Sequence, residues 1–214
     1  VLRKLSERKT AYRIREYEVL AGEEDTEVVH KEHGVRLKLD PRNVYFSPRE
    51  ATERLRIARQ VKPGETVMVM FGGIAPFPIA IAKKQPDVER VITIELNPEA
   101  VRYANENIRI NKLSHKIISI QGDVRVHCVK WYGKCDRVVM PLPLGSESFL
   151  DIAVNCLKSE GVIHFYNWGR EPNPFEKAER VVDEALKSMK RKYRIDGRQI
   201  VLPYAPKTYK VRLD

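Results

Sequence analysis

Three short stretches carry residue types that could grip a nucleoside. Gly72 and Gly73 fall in a turn, 71–77, that follows the apolar run "ETVMVMF" and opens with Phe71. Without a Cβ, glycine lets the backbone come close to a ligand. Glu95 closes the next apolar run, "RVITIEL", where a carboxylate roughly 20 residues past a glycine turn can accept both ribose hydroxyls. Asp123 in "IQGDV" closes the run after that and suits an adenine amino group. Alone, the glycine turn reads equally well as an ordinary strand-to-helix turn; the three positions together favour a nucleoside. The loop lacks the GxGxxG spacing that cradles a pyrophosphate, so S-adenosylmethionine fits it better than NAD.

These residues must be held at the ends of neighbouring strands, and the sequence between them predicts that arrangement. From residue 65 onward, strands such as "ETVMVMF", "RVITIEL", "IISIQGD", "DRVVMPLP" and "GVIHFYNW" alternate with amphipathic segments such as "PFPIAIAKK", "PEAVRYANENIRINK" and "SFLDIAVNCLK". Strands apolar on both faces imply a parallel sheet covered on both sides, a doubly wound α/β fold with ligands at the carboxyl ends of its strands. A helix is predicted over 48–61 with Ala51, Leu55, Ala58 and Val61 on its apolar side, and another from about Pro174 to Lys192. A pair of strands, "RQIVLPYAPKTYKVRLD", closes the chain. Turn-punctuated β-like runs before residue 45 predict a small N-terminal β-rich subdomain over 1–44, ahead of a Rossmann-like domain over 45–214.

Composition narrows the class. In 214 residues, 43% are hydrophobic, and the formal net charge is +10. That suits one sizeable α/β domain with an appendage, and a basic enzyme acting on a polyanion such as RNA. Cys128, Cys135 and Cys156 lack CxxC spacing, and the histidines lack ligand spacing, so neither a disulfide framework nor a metal site is expected. No apolar run approaches the roughly 20 residues needed to span a bilayer, and the expectation is a soluble, cytoplasmic monomer. The chain opens on Val1 rather than methionine, as a fragment would.

From "YRIREYEVLAGEEDTEVVHKEHGVRLKLDPRNVYFSPREATERLRIARQVKPGETVMVMFGGIAPFPIAIAK" onward, the chain resembles the archaeal and eukaryotic tRNA (guanine-N1)-methyltransferases that modify guanosine 37. The likeness continues through "IELNPEAVRYANENIRINKL", "GDVR", "DRVVMPLP", "GVIHFYNWG" and "YAPKTYKVRLD"; "VYFSPR" with "TER" is its most specific part. It implies a class I methyltransferase sheet, S-adenosylmethionine as cofactor and the tRNA anticodon loop as partner, with the family's further N-terminal domain outside this chain. Two departures stand out. Val69 replaces the Asp of the family's "DMFAG", with Ala75 at a glycine position, and Pro141 replaces the Asn that helps hold the target guanine. The neighbouring wybutosine-pathway aminocarboxypropyl transferases also lack that Asn, so transfer of their four-carbon group is an alternative. A non-catalytic tRNA-binding module is a third.

By position in the resemblance, Glu53 would remove the N1 proton of guanine and Arg13 would stabilise the charge on O6. Glu53 also reads as a surface acid paired with Arg49 or Arg56, and Arg13 as a phosphate contact. Tyr45 and Arg49 would shape the methionine end of the cofactor pocket, and Pro143 would wall its loop. Pro141, Tyr166 and Asn167 would border the target base, together with Trp168, although the aromatics equally suit a packed core. Arg42, Arg54, Arg56 and Lys62 are candidate phosphate contacts or simply a solvated face.

Overall fold

The computed structural model describes residues 1–7 and 10–214. Two small antiparallel hairpins come first: β1 (Leu2–Lys4) pairs with β2 (Tyr17–Val19), and β3 (Val28–Glu32) with β4 (Val35–Leu39). A seven-stranded sheet follows, built from β5 (Thr66–Met70), β6 (Arg90–Glu95), β7 (Ile117–Gln121), β8 (Cys135–Met140), β9 (Leu157–Arg170), β10 (Arg198–Ala205) and β11 (Thr208–Leu213). Its order is β10-β11-β9-β8-β5-β6-β7, parallel from β9 to β7, with β11 and β10 adding antiparallel pairs at the far edge. The strand order turns back between β5 and β8. A crevice therefore opens at their carboxyl ends.

Alternation along β5 explains the two layers. Val67 and Val69 join a core with Ile57, Ile81 and Ile108, from α1 (Ala51–Ala58), α2 (Pro76–Lys84) and α3 (Pro98–Ile110). Met68 and Met70 face a second core with Val124, Ile152 and Val182, from α4 (Val124–His127), α5 (Leu150–Cys156) and α6 (Glu176–Ser188). A strand buried on both faces has no reason to alternate polar and apolar residues. That is why the runs were continuous in the sequence.

Three differences from the sequence reading have physical causes. The buried side of α1 carries Glu53, Arg54, Ile57 and Ala58, while Leu55 is only half-buried, because charges from β3 and β11 neutralise the acid and the base in place. Helix α6 is shorter than Pro174–Lys192, since Lys190 takes a left-handed φ of 53° and the Arg191 N–H donates back to Leu186 O at 2.9 Å, as at many helix ends. Helix α4, not anticipated, starts where the Asp123 side chain accepts from the Arg125 N–H at 2.8 Å.

The β3–β4 hairpin is fastened to the main sheet's helical layer through α3. Asn107 is fully buried; its Oδ1 accepts from the Lys38 N–H, and its Nδ2 donates to Lys38 O and Ile74 O at 3.0 and 3.1 Å. One turn on, Asn111 pairs in the same way with the backbone of Arg36. The two amides act as a substitute strand along the edge of β4. Through Ile74 they also tie the hairpin to the glycine turn.

Candidate active site

A cleft of about 620 Å³ lies over the carboxyl ends of β5, β6, β7 and β8. Phe71, Gly72, Gly73, Glu95, Asp123, Tyr45, Arg13 and Pro141, all singled out from the sequence, line it together.

At one end, the turn after β5 is shaped by its backbone. Phe71, Gly73 and Ala75 take left-handed φ values of 56°, 55° and 66°, and the Gly72 N–H donates to Ile94 O at 3.1 Å. A Cβ on Gly72 would lie 1.7 Å from Thr93 Oγ1, so the glycine lets the Thr93 hydroxyl lie against the turn, where the Ala of the family's "DMFAG" would have to turn that hydroxyl away. Glu95 bridges two turns, its Oε2 accepting from the Gly73 N–H and its Oε1 from the Asn97 N–H, both at 2.8 Å. Each carboxylate oxygen keeps a further acceptor direction. Leu96 and Val124 give apolar surface beside it, Phe149 meets Phe71 edge-on at 5.0 Å, and the Asp123 side chain is 45% exposed. Carboxylates beside apolar surface fit a nucleoside, whose ribose needs acceptors and whose base needs flat contact. Val69, at the family's Asp position, is fully buried in the core and contributes nothing to this lining.

The other end is cationic and aromatic. The Arg13 guanidinium stacks 4.7 Å from the centre of the Tyr45 ring. Trp168 and Tyr204 meet at 4.3 Å between ring centres. Glu50 and Lys210, which the sequence reading passed over, also line the cleft, with Lys210 Nζ 2.8 Å from Glu50 Oε2. Burial pulls the Lys210 ammonium below its usual range, against the pull of Glu50.

Five expected residues sit behind the cleft rather than in its lining. Glu53 is 3% exposed and is held by three donors: the Tyr166 hydroxyl at 2.7 Å, Arg212 and Arg56. Burial, then the Glu53 charge, push the Tyr166 phenol well above its ordinary value. Asn167 is fully buried, accepts from the Trp168 N–H at 2.7 Å, and its Nδ2 has no acceptor among the described residues. Arg49 donates to Pro203 O at 3.1 Å, bracing the β10–β11 hairpin, and Pro143 is buried. Of the candidate phosphate contacts, Arg54 is instead buried in a two-pronged pair with Glu32, whereas Arg42 and Lys62 are exposed.

A signal for Glu50 and Lys210 was present in the spacing. Glu50 and Glu53 lie one helical turn apart, Lys210 and Arg212 two strand residues apart, and the two pairs of opposite charge face each other. Only the fold shows that α1 packs against β11.

The family described as "TRM5/TYW2 methyltransferase domain" matches residues 28–195. The tRNA (guanine(37)-N(1))-methyltransferase Trm5b of Pyrococcus abyssi is 40% identical over 203 residues, 95% of this chain and 59% of that protein. A solved complex of aTrm5 and tRNALeu superposes with a TM-score of 0.87 at 39% identity, covering 99% of this chain and 59% of that one. Methanocaldococcus jannaschii TYW2 in complex with AdoMet superposes with a TM-score of 0.84 at 32% identity, over 92% and 88% of the two chains. This chain thus spans less than two thirds of the length of the Trm5 relatives it matches. No helix among the described residues is long and apolar enough to cross a membrane.

Proposed function

The chain belongs to the TRM5/TYW2 methyltransferase family, and we propose that it transfers a methyl group from S-adenosylmethionine to N1 of guanosine 37 in tRNA. The observation that carries this reading is the continuity of the cleft: one cavity of about 620 Å³ joins the Glu95 end to the Arg13 end. That volume lies within the range of small-molecule sites and leaves room for a base beside a nucleoside.

In this reading Glu95 holds the ribose of the cofactor, Asp123 meets the adenine, and the turn at Gly72 and Gly73 runs beside the cofactor's amino-acid arm. When bound, S-adenosylmethionine supplies an electrophilic methyl group on a sulfonium and departs as a neutral thioether. Neutral guanine is a poor nucleophile at N1. The protein must remove the N1 proton, offset the charge that develops on O6, and align N1 with the methyl carbon. Arg13 serves O6. Glu53, at the family's base position, takes the proton in this reading, which requires the carboxylate to move from its place behind the wall into the cleft; of its three partners Arg56 is the one whose side chain is 37% exposed, where Arg212 and Tyr166 are buried. Tyr45 frames the approach, Arg49 braces the β10–β11 hairpin that carries Tyr204 to it, Pro141 and Pro143 stiffen the loop after β8, and Tyr166 and Asn167 hold the base's surroundings from behind.

The anticodon loop is the partner this implies, with the exposed Arg42 and Lys62 among its phosphate contacts, in the cytoplasm where tRNA is matured. A second reading, aminocarboxypropyl transfer to a tricyclic precursor, draws on Pro141, which lines the cleft where the family's Asn would stand. The test is label transfer from methyl-labelled cofactor to tRNA transcripts carrying guanosine or adenosine at position 37. Incorporation into the first alone supports the proposal; incorporation into neither or both contradicts it.

A further inference from the structure

The ion pair between Glu50 and Lys210 has no need of a cleft to stabilise the fold, yet it forms part of the cleft wall. Lys210 is 3% exposed and Glu50 6%. A lysine so buried loses most of its hydration, and Glu50 is its one hydrogen-bond acceptor among the described residues. The Tyr166 ring, 4.8 Å from Nζ, supplies a second, weaker contact. An ammonium has three N–H donors, so hydrogen-bonding capacity remains. Arg13, on the same wall, acts on Lys210 as a like charge. Arg13, Arg15, Arg54 and Lys210 line this end beside Glu7 and Glu50, with Glu53 also acting on Lys210 from behind the wall, and the unused donors of the Lys210 ammonium suit an oxygen that becomes anionic during reaction.

We propose that Lys210, positioned by Glu50, donates to the exocyclic carbonyl oxygen of the target base and, with Arg13, selects a base bearing a lactam over one bearing an amino group there. The inference rests on the methyltransferase reading above. A lactam oxygen accepts from the ammonium, and the hydrogen bond strengthens as the ring N–H proton leaves to a carboxylate and charge moves onto the oxygen. An exocyclic amino group would point its own N–H donors at Lys210. The same contact thus favours reaction and rejects adenine.

The test compares single-turnover rates on tRNA carrying guanosine or 6-thioguanosine at position 37, since sulfur accepts hydrogen bonds poorly. Because Lys210→Met alone strands a buried carboxylate, the paired variant Glu50→Gln/Lys210→Met is measured beside it, with Lys210→Arg as the conservative rescue. The altered reactivity of the thiobase is common to all enzymes and cancels in the ratio between them. The rate on guanosine is expected to fall about 100-fold in the paired variant, with cofactor affinity unchanged and Lys210→Arg recovering at least about 10-fold. The sulfur penalty is expected to be about 10-fold larger in the starting protein than in the paired variant. Equal sulfur penalties would overturn the contact, as would a parallel loss of cofactor affinity. A starting protein that methylates no guanosine would overturn the functional reading itself, and this inference with it.

Discussion

The Tyr166 hydroxyl donates to Glu53 Oε1 at 2.7 Å, joining two buried side chains 113 residues apart in sequence. Arg212 donates to the same oxygen, and its other terminal nitrogen reaches Asp214 at 2.6 Å. Asp214 in turn accepts from His164, whose far nitrogen meets Arg137 at 2.6 Å, and Arg137 pairs with Glu65. The carboxylate placed at the family's base position is thus one end of a buried charge chain crossing β9, β11 and β8.

Removing members of that chain should separate stability from chemistry. Tyr166→Phe costs one hydrogen bond, about 1 kcal/mol in urea unfolding. Glu53→Ala leaves Arg212 buried beside one fewer partner and costs about 3–5 kcal/mol. Neither should change cofactor affinity measured by calorimetry, because neither residue lines the cleft.

Glu95 ought to dominate cofactor binding. Glu95→Gln keeps the shape but gives up a charged acceptor, and the affinity for S-adenosylmethionine should drop about 10- to 100-fold by calorimetry. Asp123→Asn should cost several-fold less, since its carboxylate is 45% exposed and partly satisfied by solvent. Equal losses at the two positions would refute this ranking.

The glycine turn is testable through its neighbour. Gly72→Ala presses a methyl group onto the Thr93 hydroxyl, which has no partner among the described residues and must turn away, and should destabilise the fold by about 1 kcal/mol while weakening cofactor binding. Adding Thr93→Ala removes the oxygen at 1.7 Å and should recover part of both losses. No recovery would mean the turn itself cannot accept the extra carbon.

His164 makes stability depend on pH. Complete burial lowers its proton affinity below the ordinary 6.5, although Asp214 opposes this. The unfolded chain binds a proton near pH 6.5 that the folded protein refuses. Stability is therefore full above that pH and declines as pH falls toward the folded-state value, by at most about 1.4 kcal/mol per pH unit. Urea midpoints measured between pH 8 and 5 should fall more steeply for the native sequence than for His164→Gln; parallel curves would contradict this.

Much of the sheet was legible because its strands are apolar throughout and its helices are not. Glu95 and Asp123 could be located because the first ends such a strand and the second lies two residues past the next one. What escaped the sequence was the burial of charge. Glu53 and Arg54 look like surface residues until Arg212, 159 positions away, and Glu32, 22 positions back, are brought against them. Tyr166 and Trp168 share a face of β9, but only Trp168 lies far enough along to line the cleft, while Tyr166 is packed in the core. Lys210 and Glu50 left only their spacing in the sequence, since their meaning lies in a contact between the turn that leads into α1 and the last strand.

The most direct measurement is the mass of nucleotide 37 after a tRNA transcript with guanosine at that position has been incubated with the protein and S-adenosylmethionine. A gain of one methyl group, lost when Glu95 is replaced by alanine, is the predicted result. An unchanged nucleotide despite demonstrated cofactor binding, or a gain of an aminocarboxypropyl group, would contradict the account.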